Sequence, residues 1–214
     1  MSDPAETFKT EQEAFWAGDF GDDYIRRNED SPQTLSANLF FFARALRRLA
    51  PNPKSIIELG ANIGLNLRAL KLLYPGARQT CVEINRRAAE RLLNDNVADE
   101  IVNDSILNFT PSQRNDLALI KGVMIHLNPE MLPGVYRKLA ECSSRYVLIA
   151  EYYSRRPEEV VYRGHTARLW RRDFGGEFMD ACPEFECVDY GFSYHRCPSE
   201  QQDDLTWFLF QRKA

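Results

Sequence analysis

Two glycines, Gly60 and Gly64, follow an apolar run that ends in an acid, within the stretch IIELGANIGLNLRAL that begins at Ile56. A strand, a glycine turn and a helix are the local pieces of a nucleotide site. A dinucleotide fingerprint, G-x-G-x-x-G, lets the backbone approach a pyrophosphate at its second glycine. Here Asn62 stands in that place and Leu65 in the sixth. A phosphate-binding P-loop fails as well, because no Gly-Lys-Ser/Thr follows. Glu58 argues in the same direction, since a carboxylate at a strand's end repels phosphate and suits an ammonium, directly or through water. Glu83 ends the next apolar run, where an acid can accept both hydroxyls of a ribose. Asp104, followed by Ser105, ends a third run. Acids at three successive strand ends, beside a glycine turn, are not explained by solvation alone.

The elements that would position these residues can be read from pattern. Ser31 and Pro32 make a helix start, a cap followed by proline in the first turn. Leu35, Leu39, Phe42, Leu46 and Leu49 then form one apolar stripe that stops before Pro51. SIIEL, QTCVEI, EIVND, DLALIKG and RYVLIAEYY read as five strands. Helices are expected around Leu65 to Leu73, from an Asn85 cap to about Asn94, and from Asn128-Pro129 to about Glu141 with an interruption at Pro133-Gly134. Such alternation implies a parallel sheet covered by helices. ECVDYGFSYH and LTWFLFQ have only polar turn material between them, so they are expected to close the sheet as an antiparallel hairpin.

This α/β plan, a Rossmann-like parallel sheet finished by an antiparallel hairpin with helices on both faces, resembles the class I S-adenosylmethionine (SAM) methyltransferases throughout the chain. The resemblance implies SAM as cofactor, with Glu58, Gly60, Asn62, Gly64 and Asn66 around the methionine end. It also implies Glu83 on the ribose, Asp104 and Ser105 at the adenine amino group, and Lys121 by the methionine end. DLALIKGVMIHLNPEML resembles the fourth unit of small-molecule methyltransferases, which places His126 at the mouth of the acceptor pocket as a candidate base. No metal is implied.

Residues 1–30 form an aromatic segment, with Phe15, Trp16, Phe20 and Tyr24 among glycines, and Trp16 and Tyr24 are expected to close over the cofactor. A plain amphipathic helix packed on the sheet is the bland alternative. EAFWAGDFGDDYIRRN, RRDFGGEFMD and VDYGFSYHR together resemble the methylases associated with pseudaminic acid biosynthesis, a family found with genes for nine-carbon acidic sugars. Residues 31–214 would be the methyltransferase domain, with an arginine-rich insert at about 151–180. Between Arg145 and Arg172, seven arginines stand against Glu151, Glu158 and Glu159 in a chain of net charge −4. In this fold that stretch commonly lines the acceptor site, so Tyr152, Arg155, Arg163, His165 and Arg172 are candidates to clamp a carboxylate or phosphate. A solvated helix face is the alternative reading.

The remaining bounds are compositional. The net charge of −4 provides no positive field for nucleic acid or anionic membrane, and 44% hydrophobic residues suit one folded domain of 214 residues. No apolar stretch approaches the roughly 20 residues of a membrane helix, and the acidic N-terminus is unlike a targeting peptide. Five scattered cysteines without a C-x-x-C pair read as reduced thiols of a cytoplasmic protein. The oligomeric state is open. The expectation is a SAM-dependent methyltransferase acting on oxygen or nitrogen of a small anionic acceptor, such as a nonulosonic acid sugar or its nucleotide derivative. For a hydroxyl acceptor, His126, His165 or Glu151 are the candidate bases. A catalytically silent SAM-binding subunit, or a methyltransferase for an unrelated natural product, would carry the same cofactor motifs.

Overall fold

The computed structural model describes residues 8–28 and 30–213. Helices α1 (Glu11–Ala17), α2 (Asp19–Arg27) and α3 (Pro32–Ala45) lead into alternating β1 (Ser55–Leu59), α4 (Leu65–Leu73), β2 (Arg78–Glu83), α5 (Arg86–Asn94) and β3 (Glu100–Asn103). Then come β4 (Asn115–Lys121), α6 (Leu132–Cys142), β5 (Ser143–Glu151), the short pair β6 (Glu158–Glu159) and β7 (Trp170–Arg171), α7 (Phe174–Ala181), β8 (Phe185–Ser193) and β9 (Leu205–Arg212). The main sheet runs β3-β2-β1-β4-β5-β9-β8. β1 to β5 pair in parallel, while β9 pairs antiparallel with both β5 and β8.

Strand alternation sorts the core onto two faces. Ile56, Leu117 and Leu148 bury against Phe41 and Phe42 of α3 and Leu70 of α4. Their neighbours Ile57, Ala118 and Val147 bury on the other face against Leu139 of α6 and Phe178 of α7. Because β1, β4 and β5 are covered on both faces, their middle residues are apolar, and polar groups are confined to the strand ends, with Glu58, Lys121 and Glu151 at the carboxyl side. The helix starts follow the expected caps. Ser31 Oγ accepts from the Thr34 N–H at 3.1 Å, and Asn85 Oδ1 accepts from the Ala88 N–H at 3.0 Å.

Pro133 does not interrupt the helix after β4. It lies in the first turn of α6, where its missing N–H has no intrahelical partner to lose. The aromatic N-terminal segment is two helices broken at Gly18 rather than one. The chain bends so closely there that a Cβ on Gly21 would lie 1.9 Å from the Trp16 carbonyl oxygen. Between β5 and α7 the arginine-rich stretch forms a flap stapled by β6 and β7, with Glu159 opposite Trp170. No helix among the described residues is long and apolar enough to cross a membrane.

Candidate active site

A cleft of about 280 Å³ opens over the carboxyl ends of β1, β2 and β4, under α1 and α2. Strand order reverses between β1 and β4, and that switch point is where open α/β sheets bind ligands. The floor is the glycine turn. Gly60 and Gly64 have φ of +81° and +79°, and a Cβ on Gly60 would lie 2.6 Å from Val123 Cγ2. Both conformation and close approach therefore demand glycine. Asn62 also sits at positive φ, +48°. Its side-chain oxygen accepts from the Ile63 N–H at 2.8 Å and from Asn28 Nδ2 at 3.1 Å, tying the end of α2 to the turn.

Two carboxylates lie beneath this turn. Glu58 is 1% exposed; Asn66 donates to its Oε1 at 2.6 Å, and its Oε2 is buried without a partner. Burial pushes the Glu58 carboxyl up to about 8, against the pull of Asn66 and the Lys121 ammonium. Burial likewise lowers the Lys121 pKa, opposed chiefly by Glu58. Glu83 accepts from the Asn62 N–H at 2.6 Å and the Asn85 N–H at 2.7 Å. These bonds hold its carboxylate toward the cleft and oppose the upward push of burial on its pKa.

At the end of β3 the structure differs from expectation. Asp104 is not among the residues that line the cleft, and its Oδ1 accepts from the adjacent Ser105 N–H at 2.7 Å. Ser105 does line it, and its hydroxyl donates to Glu13, a buried residue of α1 that also lines it. Glu13 was missed by sequence reasoning. Thr10 and Glu13 make a legible capping box, but their pattern marks only a helix start, and Ser105 lies 92 residues away. Gln12, Asn28, Asn38, Gln201 and Gln202 also line the cleft and were equally unmarked.

His126 forms the far wall. Its Nδ1 lies 2.7 Å from the Arg168 carbonyl oxygen, which can only accept, so Nδ1 carries the proton and Nε2 the lone pair. Burial lowers its pKa to about 4. Its ring centre lies 4.6 Å from Trp16 and 4.9 Å from Tyr162, and Trp16 in turn meets Tyr24 edge-on at 5.2 Å. Trp16 and Tyr24 both line the cleft. Glu151, the other expected base near this wall, accepts from the Val123 and Met124 N–H groups at 3.0 and 2.9 Å, so its carboxylate holds the loop that carries His126.

The expected acceptor residues do not line the cleft. Tyr152 donates to Asp203 at 2.7 Å, and Arg172 is committed to Glu177 at 2.8 Å because α7 brings that acid beside it. Arg155 and His165 are exposed, His165 lying edge-on to Phe15 at 5.1 Å. Arg163 covers Tyr162 at 5.7 Å, and Arg27 of α2 covers Phe20 at 4.9 Å and Tyr24 at 5.6 Å. Burial raises the Tyr24 pKa, with Tyr162 and Asp203 adding to the rise and Arg163 and Arg27 opposing it. Neither guanidinium has a carboxylate partner among the described residues.

No protein-family model and no curated protein sequence matches the chain. Solved structures do match its shape. The magnesium protoporphyrin IX methyltransferase of Synechocystis PCC 6803, solved with bound SAM, aligns at TM-score 0.68 and 10% identity over 97% of this chain and 100% of its own. The 1,6-didemethyltoxoflavin-N1-methyltransferase of Burkholderia thailandensis, solved with bound 1,6-didemethyltoxoflavin and S-adenosylhomocysteine (SAH), aligns at TM-score 0.69 and 17% identity over 100% of this chain and 94% of its own. A Bradyrhizobium japonicum WM9 N-methyltransferase aligns at TM-score 0.63 and 12% identity over 87% of this chain and 100% of its own. With its sheet order and the cleft at the switch point, the chain has the Rossmann-like fold of the class I SAM-dependent methyltransferases.

Proposed function

We propose that the protein is a SAM-dependent methyltransferase whose acceptor is a small anionic molecule, of the class of a nonulosonic acid sugar or its nucleotide derivative. The observation that carries the cofactor reading is the cleft at the switch point, floored by the glycine turn and lined by Asn66, Glu83 and Lys121. Glu58 lies buried behind that lining and acts on a ligand's ammonium through Asn66, whose amide donates to it at 2.6 Å and keeps its own oxygen free to accept. Glu83 offers its remaining lone pairs to a ribose. The acidic-sugar class rests on the resemblance carried by the three aromatic and glycine-rich stretches and on the guanidiniums of Arg27 and Arg163, which lie over Tyr24 and Tyr162 and have no carboxylate partner among the described residues.

When bound, SAM supplies an electrophilic methyl group on sulfur. The chain must then align the acceptor with it and exclude water. Trp16 and Tyr24 cover the cleft, and Arg27 and Arg163 hold the acceptor's anionic group at its rim. His126 Nε2 accepts a hydrogen bond from the attacking O–H or N–H. Its depressed pKa keeps it unprotonated at neutral pH and makes it a weak base, which suits an amine that needs no strong base better than an alcohol. The same weakness, with Glu151 occupied by backbone N–H groups, favours a catalytically silent binding subunit as the second reading.

Protein incubated with methyl-labelled SAM and extracted sugar nucleotides should transfer label to an acidic product seen by mass spectrometry. Label on a neutral product removes the anionic acceptor. Tight SAM binding with no labelled product across a broad metabolite extract supports the silent subunit. Failure to bind SAM in a calorimetric titration overturns the whole reading.

A further inference from the structure

We propose that Glu13, supplied by the N-terminal helix, is the group that reads the exocyclic amino edge of a purine base in the cleft, an inference that rests on the SAM reading. The end of the cleft near β2 and β3 combines apolar walls with one acceptor edge. Ile84 and Ile106, which follow those strands, line it together with Trp16 and suit the faces of a flat heterocycle. Glu13 is 3% exposed and lines the same end. The Ser105 hydroxyl donates to its Oε1, while Oε2 takes the Thr10 N–H at 2.9 Å and the Thr10 hydroxyl at 3.4 Å, so the spare capacity lies on Oε1. Each carboxylate oxygen accepts more than one donor, so Glu13 keeps acceptor capacity toward the cleft.

Asp104, the acid that the strand-end pattern nominates, accepts from the Ser105 N–H through Oδ1 and lies outside the cleft lining. Acceptor character at the base edge therefore belongs to α1. An amino-bearing purine meets a carboxylate as a donor. A purine with an oxo group at that position turns an acceptor to the carboxylate, and its edge donor, N1–H, lies one ring position away, so it binds more weakly.

The test compares SAH with S-inosylhomocysteine, in which oxygen replaces that amino group, by calorimetry on the whole chain. Unaltered protein should bind SAH about tenfold to a hundredfold more tightly, the scale of exchanging a charged hydrogen bond for two facing acceptors. Glu13→Gln, whose amide can turn either end to the base, should bring the two affinities within about threefold. A Glu13 that merely props the helix would weaken both ligands alike and leave their ratio unchanged, which overturns the proposal. So does equal binding of the two ligands by the unaltered protein, or a ratio that collapses in Asp104→Asn and persists in Glu13→Gln. If the unaltered protein binds neither ligand, the SAM reading itself fails and this inference with it.

Discussion

On the strand side of the cleft, polar groups are fixed by backbone. Glu83 is held by the N–H groups of residues 62 and 85, Asn62 by that of residue 63, and the turn by two glycines with positive φ. On the opposite side, ring stacks position the groups. Trp16, Tyr24, Tyr162 and His126 touch one another from three separate stretches of chain, and Arg27 and Arg163 lie on the outside of that stack. A backbone cradle specifies one ligand and tolerates little change. A stack of side chains accepts substitution, so the second wall can be retuned while the first is kept.

That contrast can be broken or sharpened experimentally. The largest effect is expected from Gly60→Ala. Its positive φ costs a non-glycine residue about 1–2 kcal/mol, and displacing Val123 adds a cost of similar size, so SAH affinity in a calorimetric titration should fall about a hundredfold with a lowered Tm. Glu83→Ala comes next. It removes a charged acceptor from the cleft and should cost about 2 kcal/mol of SAH binding, roughly thirtyfold; wild-type affinity would dismiss the ribose assignment.

Glu58 gives a pH signature. With its carboxyl pushed up to about 8, it is mostly protonated at pH 7, whereas an ammonium ligand needs the anion. SAH affinity should therefore fall about tenfold per pH unit below 8, with a proton released on binding, seen as a buffer-dependent enthalpy. Glu58→Gln should abolish the release. The sign for the free protein is opposite. The unfolded chain loses this proton near 4.5, so this group's contribution to stability declines as pH rises from there toward 8.

Smaller effects belong to the stacked wall. Arg163→Gln and Arg27→Gln should each raise the acceptor KM about threefold to tenfold and leave SAH affinity unchanged, because exposed guanidiniums contribute modestly. Arg172→Gln should leave KM alone and lower stability by about 1 kcal/mol or less in urea unfolding, since its partner is the half-buried Glu177. A reversed pattern, with KM moved only by Arg172, would return the anion contact to the flap's base.

Most of the parallel sheet was legible because its signals are local: apolar runs of strand length, Ser31 and Asn85 as caps, and polar turn material before β9. The glycine turn and the acids at the ends of β1 and β2 were legible for the same reason. α7 was not marked as a helix, since Gly175 and Gly176 weaken the pattern. Gly175 is there because the Phe208 ring passes within 2.7 Å of where its Cβ would be. Asp104 and Ser105 looked alike as strand-end polar groups; only the arrival of Glu13 from the far end of the chain separates them. Arg172 looked like its neighbours until α7 brought Glu177 beside it.

Asn85 carries a consequence for the order of assembly. Its oxygen starts α5, while its amide nitrogen donates to the carbonyl of Trp16 at 3.2 Å and to Asp22 at 3.0 Å, partners 69 and 63 residues earlier in the chain. Helices α1 and α2 must wait for β2, β3 and α5 before they can make these contacts. Until then the aromatic faces of α1 and α2 are without cover, and a growing chain exposes Phe15, Trp16 and Phe20 together. Slowing synthesis between residues 28 and 105 should raise the demand on chaperones, whereas slowing it beyond residue 172, when the ring partners Tyr162 and His165 have been made, should raise it less.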